Sequence, residues 1–207
     1  MKAADAKTHW EVVYHTKKPN EVSWYQQVPS ISHNLILATS VSKGAPIIDV
    51  GAGTTLLVDV LLADGFSDLT LLDISATALQ RIKTRLGTRA SMVSFIEADI
   101  TEFEPHRKFA VWHDRAVFHF LTRPEDRRRY LATLHRSLQP QAHVIIASFG
   151  LDGPPQCSGL DVMHYSAETM AAELGEGFDL IESSEEQHTT PSGRQQQFVY
   201  CRFRATT

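Results

Sequence analysis

Three aspartates, each at the end of an apolar run, are the residues of this sequence best placed to bind a ligand. Asp49 opens the segment Asp-Val-Gly51-Ala-Gly53, Asp73 ends the next apolar run, and Asp99 follows the third. Open α/β sheets hold ligands at their strand ends, where a carboxylate can accept both hydroxyls of a ribose. Glycines let the backbone approach such a ligand closely. The pattern predicts a site for a nucleoside cofactor.

The residues around these aspartates distinguish between nucleoside cofactors. Leu56 stands where a dinucleotide fingerprint needs Gly or Ala, which disfavours NAD. Asp49 would repel a pyrophosphate but suits the ammonium group of an amino acid. We expect Asp99 to accept the adenine amino group and Ile100 to pack on the ring, and we include Ile74 in the same predicted site. A cofactor with an amino acid tail and no phosphate fits best.

Aromatic residues are the predicted contacts for the far end of the cofactor. The candidates are Trp24, Tyr25, Trp112 and His113, because aromatic faces attract cations. For Trp112, a place in the core of a strand is an equal alternative. Trp24 and Tyr25 are neighbours in a predicted loop, which favours a functional role, since adjacent large aromatics need an apolar surface to cover.

Asp114, Arg115 and His119 are the candidate catalytic residues. Asp114 and Arg115 are predicted to follow the fourth strand at the ligand edge, where charged residues usually bind or catalyse. Asp114 would orient or deprotonate an amine, and Arg115 would hold a carboxylate with its guanidinium fork. The structural alternative is an Asp–Arg ion pair that braces the strand end. His119 would accept a proton, with a packed, hydrogen-bonded histidine as the equal alternative.

The spacing of histidines and cysteines gives no metal motif. Of the 10 histidines, only His113 and His119 fall near the predicted pocket, and their separation matches no common ligand pair. No metal site is predicted. Cys157 is expected near the pocket, where a thiolate would bind a soft substrate, although a lone cysteine is more often inert.

The elements that would position these residues alternate between strands and helices. Residues 1–44 are predicted to form a helical cap, its second helix opened by Pro29. Strands are predicted at 47–50, 69–73, about 92–96, 109–112 and 143–149, helices at 54–63, 75–87, 124–138 and 166–174, and a hairpin at 178–188 and 195–203. This order predicts a Rossmann-like, doubly wound α/β fold with a seven-stranded, mostly parallel sheet and a terminal antiparallel hairpin.

Length and composition set the broad class. The chain has 207 residues, 43% hydrophobic and 21% charged, which predicts one globular domain whose core occupies residues 45–207. The formal net charge of -4 disfavours a nucleic-acid substrate. The sequence shows neither a signal peptide nor an apolar stretch long enough to span a membrane, so a cytoplasmic location is expected.

Three of these segments resemble the first three motifs of the class I S-adenosylmethionine-dependent methyltransferases. They are DVGAGTT, LTLLDIS and EADI, and the resemblance spans roughly residues 46 to 150. It implies that the cofactor is S-adenosyl-L-methionine and that the reaction is a methyl transfer.

A fourth segment is similar to two subfamilies at once. KFAVWHDRAVFHFL and DRRRY resemble thiopurine methyltransferase-like enzymes and also the lysine methyltransferases of elongation factors and citrate synthase. The sequence departs from both in having His113 before Asp114 and in having Ala116 where they have Gly. Aromatic residues of the cap, among them Trp10 and Tyr14, are similar to the segment that closes over the cofactor in both groups, and residues 1–28 are expected to act as a lid.

The resemblance leaves the methyl acceptor open. Transfer to a small molecule, a thiol or another soft nucleophile, is the leading hypothesis, and protein lysine methylation is the alternative. A nucleoside-binding module without catalysis is a hypothesis of another class. An NAD oxidoreductase is disfavoured by Leu56.

Overall fold

The computed structural model describes residues 3–206, and in the first helix its side chains from Asp5 onward. Its elements are α1 (Ala3–Thr16), α2 (Ser30–Ala38), β1 (Ile47–Val50), α3 (Leu57–Ala63), β2 (Leu69–Asp73), α4 (Ala76–Leu86), β3 (Val93–Glu97), β4 (Phe109–Arg115), α5 (Pro124–Ser137), β5 (Leu138–Phe149), β6 (Gln156–Cys157), β7 (Leu160–Asp161), α6 (Ala167–Leu174), β8 (Phe178–Thr189) and β9 (Gln195–Ala205). None of the described helices combines the length and the apolarity needed to cross a membrane.

Seven strands form one sheet in the order β3-β2-β1-β4-β5-β9-β8. Strands β1 to β5 pair in parallel, and β9 runs antiparallel to both of its neighbours. This arrangement confirms the predicted Rossmann-like fold with its terminal hairpin. The chain travels outward from β1 to β3 and then returns to place β4 on the other side of β1. The carboxyl ends of β1 and β4 therefore flank the switch point, where such sheets bind their ligands.

Local sequence explains where the helices beside this point begin and end. The Ser75 hydroxyl accepts a hydrogen bond of 3.1 Å from the Ala78 amide and caps α4, as predicted. Gly87, with a φ of 58°, ends the same helix. Pro124 occupies the first turn of α5, where its missing amide is not needed.

The sheet separates two apolar cores. Trp112 and Ile146 face α5 and α6, whereas Val111 and Ile145 face α2, α3 and α4. Because side chains alternate along a strand, Asp114 follows Trp112 onto the α5 face, and His113 and Arg115 lie on the opposite face. This alternation decides which residues of β4 can reach a ligand.

Three predicted boundaries were wrong. Strand β4 continues to Arg115, because β1 pairs with it as far as Asp114 and β5 as far as Arg115. Strand β5 begins at Leu138, where it pairs with Phe109 before a register shift. Helix α3 begins only at Leu57, whose amide donates to the Thr55 hydroxyl at 3.0 Å. The predicted loop after β5 also contains part of a two-stranded ribbon, β6 and β7.

Candidate active site

A cavity of about 310 Å³ lies at the carboxyl ends of the central strands. Seven residues of the predicted site line it, namely Trp24, Gly51, Asp73, Ile74, Asp99, Ile100 and Arg115. A second, smaller cavity of about 60 Å³ shares Trp24, Gly51 and Arg115 with the first and adds Tyr25, Asp49 and His113. The two cavities together suit an elongated ligand with a large group at one end and a small polar group at the other.

Glycine is required at two positions of the loop after β1. Gly51 has a φ of 65°, and a Cβ atom there would overlap the Val117 side chain. Gly53 has a φ of 53°, and its Cβ would overlap the Tyr14 hydroxyl. Any side chain at these positions would displace the residues that surround the cavity.

Asp73 is buried at the end of β2 and lines the larger cavity. Its two oxygens accept the Gly53 amide at 2.7 Å and the Ser75 amide at 2.8 Å. Burial raises the pKa of this carboxyl to about 6, against the opposing effect of the two amides. The two amides thereby fix the orientation of a carboxylate that lies at the wall of the cavity.

Asp99 and Ile100 occupy the end of the larger cavity beside β3. One oxygen of Asp99 accepts both the amide and the hydroxyl of Thr101, each at 2.8 Å. Ile100 is buried next to it. A carboxylate beside an apolar surface is the arrangement expected for an adenine ring and its amino group.

Asp49 and His113 are neighbours on paired strands and line the smaller cavity. His113 Nδ1 lies 2.6 Å from Asp49 Oδ1, and His113 Nε2 lies 2.8 Å from the hydroxyl of Ser32 in α2. All three side chains are buried. The His113 ring is therefore held by hydrogen bonds to Asp49 and Ser32, whereas the sequence analysis expected it to offer an aromatic face to the cofactor.

Arg115 is the cation shared by both cavities. Its Nε donates to the Tyr200 hydroxyl at 2.7 Å and its Nη1 to the Trp24 carbonyl at 3.0 Å. Its Nη2 is buried without a hydrogen-bond partner among the described residues, and the Glu186 carboxylate is 3.7 Å away. A buried donor without an acceptor is expected to bind an anionic ligand.

Asp114 and Trp112 do not line either cavity, which corrects their predicted roles. Asp114 is fully buried on the α5 face, where it accepts the Tyr130 hydroxyl at 2.7 Å and the Val117 amide at 2.9 Å. Trp112 donates to the same Tyr130 hydroxyl at 2.9 Å. Burial raises the pKa of Asp114 to about 6. We assign both residues to holding the turn after β4 rather than to contact with a ligand.

His119 also differs from its predicted role. It is fully buried, and its Nδ1 accepts the Phe149 amide at 3.2 Å. Burial lowers its pKa to about 3, so the imidazole stays neutral at physiological pH. The ring packs against Phe120 and Phe149 and does not line the cavities. The structure favours the packed histidine over the general base.

Four aromatic rings cover the larger cavity. The Trp10 ring lies 5.6 Å from Trp24 and 5.1 Å from Phe120, and Tyr14 lies 6.3 Å from Trp24, measured between centroids. Cys157 completes this side of the cavity. Burial raises the pKa of its thiol to about 11, so the neutral thiol and not the thiolate is present at physiological pH.

The segment that carries Trp24 is held by the distant hairpin. The Ser23 carbonyl lies 2.7 Å from His188 Nε2 in β8, and the Gln26 amide donates to Glu186 at 2.9 Å. Together with the bond from Arg115 to the Trp24 carbonyl, these contacts fix this part of the cavity wall.

Helix α1 is tied to α4 across the opening of the cavity. The Glu11 carboxylate accepts the Ala76 amide at 2.6 Å, at the helix N-terminus where amides lack intrahelical partners. Arg81 donates to the Lys17 carbonyl at 2.6 Å. Lys7 forms an exposed ion pair with Glu97, which contributes little by itself. Glu11 thus joins α1 to the N-terminus of α4.

We expect Glu11→Ala to loosen the cap selectively. Losing the charge-assisted bond to α4 should lower the hydrogen-exchange protection of residues 5–16 by about tenfold. S-adenosylhomocysteine should restore part of it, because the aromatic rings of the cap then bury against the ligand. Glu21→Ala is the matched control, since Glu21 caps only its own short turn at the Lys18 amide. Equal protection in the two variants would mean that aromatic packing alone holds the cap.

Several residues around the site were missed by the sequence analysis. Ser32, Val117 and Phe120 all line a cavity, yet the sequence analysis assigned none of them to the site. Glu11 was not distinguished from other surface acids. Their roles depend on contacts between segments far apart in the chain, which no local pattern encodes.

Comparison with known proteins connects this geometry to a family. Residues 47–141 match the family model described as a methyltransferase domain. These residues, just under half of the chain, are similar to a methyltransferase domain. The match begins with β1, covers Asp49, Asp73 and Asp99 and ends within β5, so it includes the three acids of the predicted cofactor site. This match agrees with the predicted cofactor, S-adenosylmethionine.

Curated relatives of the methyltransferase domain act on different acceptors. The eEF1A lysine and N-terminal methyltransferase of Mus musculus is 24% identical over 159 residues, 69% of this chain and 22% of that protein. The malonyl-[acyl-carrier protein] O-methyltransferase 2 of Ilyobacter polytropus is 25% identical over 108 residues, 51% of this chain and 40% of that protein. The chain thus spans less than half the length of each.

Solved structures agree on the fold of the methyltransferase domain. The N-methyltransferase NodS from Bradyrhizobium japonicum WM9, in complex with S-adenosylhomocysteine, matches with a TM-score of 0.72 at 20% identity, over 96% of this chain and 100% of that one. The 1,6-didemethyltoxoflavin-N1-methyltransferase of Burkholderia thailandensis matches with a TM-score of 0.69 at 18% identity, over 99% and 87%. At these identities the likeness concerns the fold alone.

Proposed function

We propose that this protein transfers the methyl group of S-adenosylmethionine to a small molecule that presents a thiol or another soft nucleophile. The observation that carries the proposal is the cavity of about 310 Å³ beneath Trp10, Trp24 and Phe120, which has room for a small acceptor beside a bound nucleoside. The resemblance of the fourth segment to thiopurine methyltransferase-like enzymes fits the same acceptor class, although that segment resembles lysine methyltransferases as well.

The residues present fit this cofactor. Asp73 offers its carboxylate to the ribose hydroxyls, and Asp99 with Ile100 takes the adenine ring. Asp49 takes the ammonium group of the amino acid tail. The Nη2 of Arg115 has no hydrogen-bond partner among the described residues, although the Glu186 carboxylate lies 3.7 Å away, and it suits the carboxylate of the tail. The tail therefore lies along the smaller cavity, and the adenosine occupies the larger one.

Alignment and exclusion of water are the work of the protein in this reaction. The cofactor supplies a methyl group bound to a sulfonium. In an in-line displacement the leaving group is a neutral thioether, which needs no protonation. The rings of Trp10, Trp24 and Phe120 keep water from the reacting atoms and present electron-rich faces to a positive charge. Since neither Asp114 nor His119 lines a cavity, we propose no general base among the described residues, and a soft nucleophile needs the least help of this kind.

Protein lysine methylation is the second candidate. The mouse relative named for that activity matches 69% of this chain, which is the specific observation in its favour. A lysine side chain would have to enter the cavity past α1. The cap would then have to move with each protein substrate.

A two-stage experiment tests the proposal. Calorimetry should show binding of S-adenosylhomocysteine and none of NAD. Methyl-labelled S-adenosylmethionine is then incubated with a panel of thiols and amines and with cell extract separated by size. Label in the fraction of low molecular mass supports the proposal, and label in protein bands supports the lysine candidate. Binding of NAD without S-adenosylhomocysteine would refute both.

A further inference from the structure

The smaller cavity contains a chain of three buried polar side chains that no methyl-transfer step above uses in full. Ser32, His113 and Asp49 are 1%, 3% and 5% exposed. His113 Nδ1 lies 2.6 Å from Asp49 Oδ1, and His113 Nε2 lies 2.8 Å from Ser32 Oγ. The three residues come from α2, β4 and β1. Their hydrogen bonds therefore join the cap region to the sheet at the switch point.

The bond between His113 and Asp49 has a definite direction. An ionised carboxylate only accepts, so His113 Nδ1 carries the proton that it donates to Asp49. His113 Nε2 and the Ser32 hydroxyl form the second bond, and its direction depends on which ring nitrogens carry protons. Ser32 thus fixes the ring, and the ring fixes one oxygen of Asp49.

The second oxygen of Asp49 is left for a ligand. Among the residues that the structure describes, no hydrogen bond reaches Asp49 Oδ2, while the side chain lines the smaller cavity. A carboxylate held at one oxygen has a single orientation for the other, so it binds a cation without first losing rotational freedom.

We propose that His113 is a positioning residue that, together with Ser32, aims Asp49 at the ammonium group of the cofactor's amino acid tail. The inference rests on the proposed function, because it needs a ligand with such a tail. Ser32 resembles a hydrolase nucleophile only in its spacing to the histidine. With 1% of its surface exposed, it serves the ring rather than a substrate carbonyl.

Ligands with and without the tail separate this role from a structural one. S-adenosylhomocysteine carries the ammonium group, and 5′-methylthioadenosine has the same nucleoside and thioether but no amino acid. We expect His113→Phe to lower the affinity for S-adenosylhomocysteine by about tenfold to a hundredfold, which is the range for the loss of a hydrogen bond to a charged group. Affinity for 5′-methylthioadenosine should change by less than about twofold.

Ser32→Ala gives an independent measurement that leaves the contact between His113 and Asp49 in place. It should lower the affinity for S-adenosylhomocysteine by about threefold to tenfold and leave the affinity for 5′-methylthioadenosine unchanged. Thr39→Val is the matched control, because it also removes a buried hydroxyl from the end of α2, where that hydroxyl donates to the Ile36 carbonyl at 2.6 Å. The control should bind both ligands as the unaltered protein does.

The outcomes distinguish this inference from the proposed function. Equal weakening of both ligands by His113→Phe and Ser32→Ala, or unchanged binding of S-adenosylhomocysteine in either variant, would overturn the positioning role. If His113→Phe does not fold, Ser32→Ala decides the question alone. Failure of the unaltered protein to bind either ligand would instead refute the proposed function.

Discussion

Gly51→Val should abolish detectable binding of S-adenosylhomocysteine. A φ of 65° is strained for any residue with a Cβ, and the Cβ would overlap the Val117 side chain where the two cavities meet. We expect a loss of at least about a hundredfold in affinity, with the free energy of unfolding lowered by about 2 to 4 kcal/mol from backbone strain and overpacking. Calorimetry and denaturant unfolding measure the two effects.

A second glycine provides the control for backbone strain. Gly65 has a φ of 87°, but nothing lies within 4 Å of a Cβ placed on it. Gly65→Ala and Gly51→Ala therefore share the strain and differ in the overlap with Val117. Only Gly51→Ala should impair ligand binding. Normal binding by both Gly51 variants would place the cofactor elsewhere.

Asp73→Ala should make the free energy of binding of S-adenosylhomocysteine less favourable by about 2 to 3 kcal/mol, because hydrogen bonds from the ribose hydroxyls to a charged acceptor are lost. The same residue predicts a pH dependence. Burial raises its pKa to about 6, and the ribose hydroxyls donate best to the ionised form. Affinity in the unaltered protein should therefore be constant above about pH 6 and fall as the pH drops through 6.

The pH profile of the variant tests this assignment. Asp73→Ala removes the titrating group, so its weaker affinity should no longer depend on pH between 5 and 7. Circular dichroism at each pH shows whether the fold persists, since two backbone amides lose their acceptor. A folded variant with undiminished affinity would remove Asp73 from the ribose site.

The sequence predicted the sheet and the position of Asp49, Asp73 and Asp99 beside the cavities because both depend on local patterns. Buried apolar runs marked the strands, and Asp49, Asp73 and Asp99 at their ends marked the edge at which ligands bind. The Ser75 cap and the breaks at Gly51 and Gly53 follow from single residues whose conformational preferences hold in most contexts.

The errors arose where a side chain's direction depends on its neighbours. When the end of a strand is not known, the sequence does not show which alternate residues face which side of the sheet. The pattern therefore did not show that Trp112 and Asp114 face α5 while His113 and Arg115 face the cavities. His119 is one turn further on, and only the packing of Phe120 and Phe149 shows that its ring is enclosed. The contact of Ser32 with His113 joins segments 81 residues apart, beyond any motif.

The bonds that hold the segment around Trp24 have a consequence for how the protein is made. Ser23 and Gln26 contact β8 residues 165 and 160 positions later in the sequence. During synthesis, the segment around Trp24 waits until β8 has left the ribosome before this wall of the pocket can close. Until then, the backbone around Trp24 lacks the bonds that hold it, and Trp10 and Tyr14 pack against a ring whose position is not yet fixed.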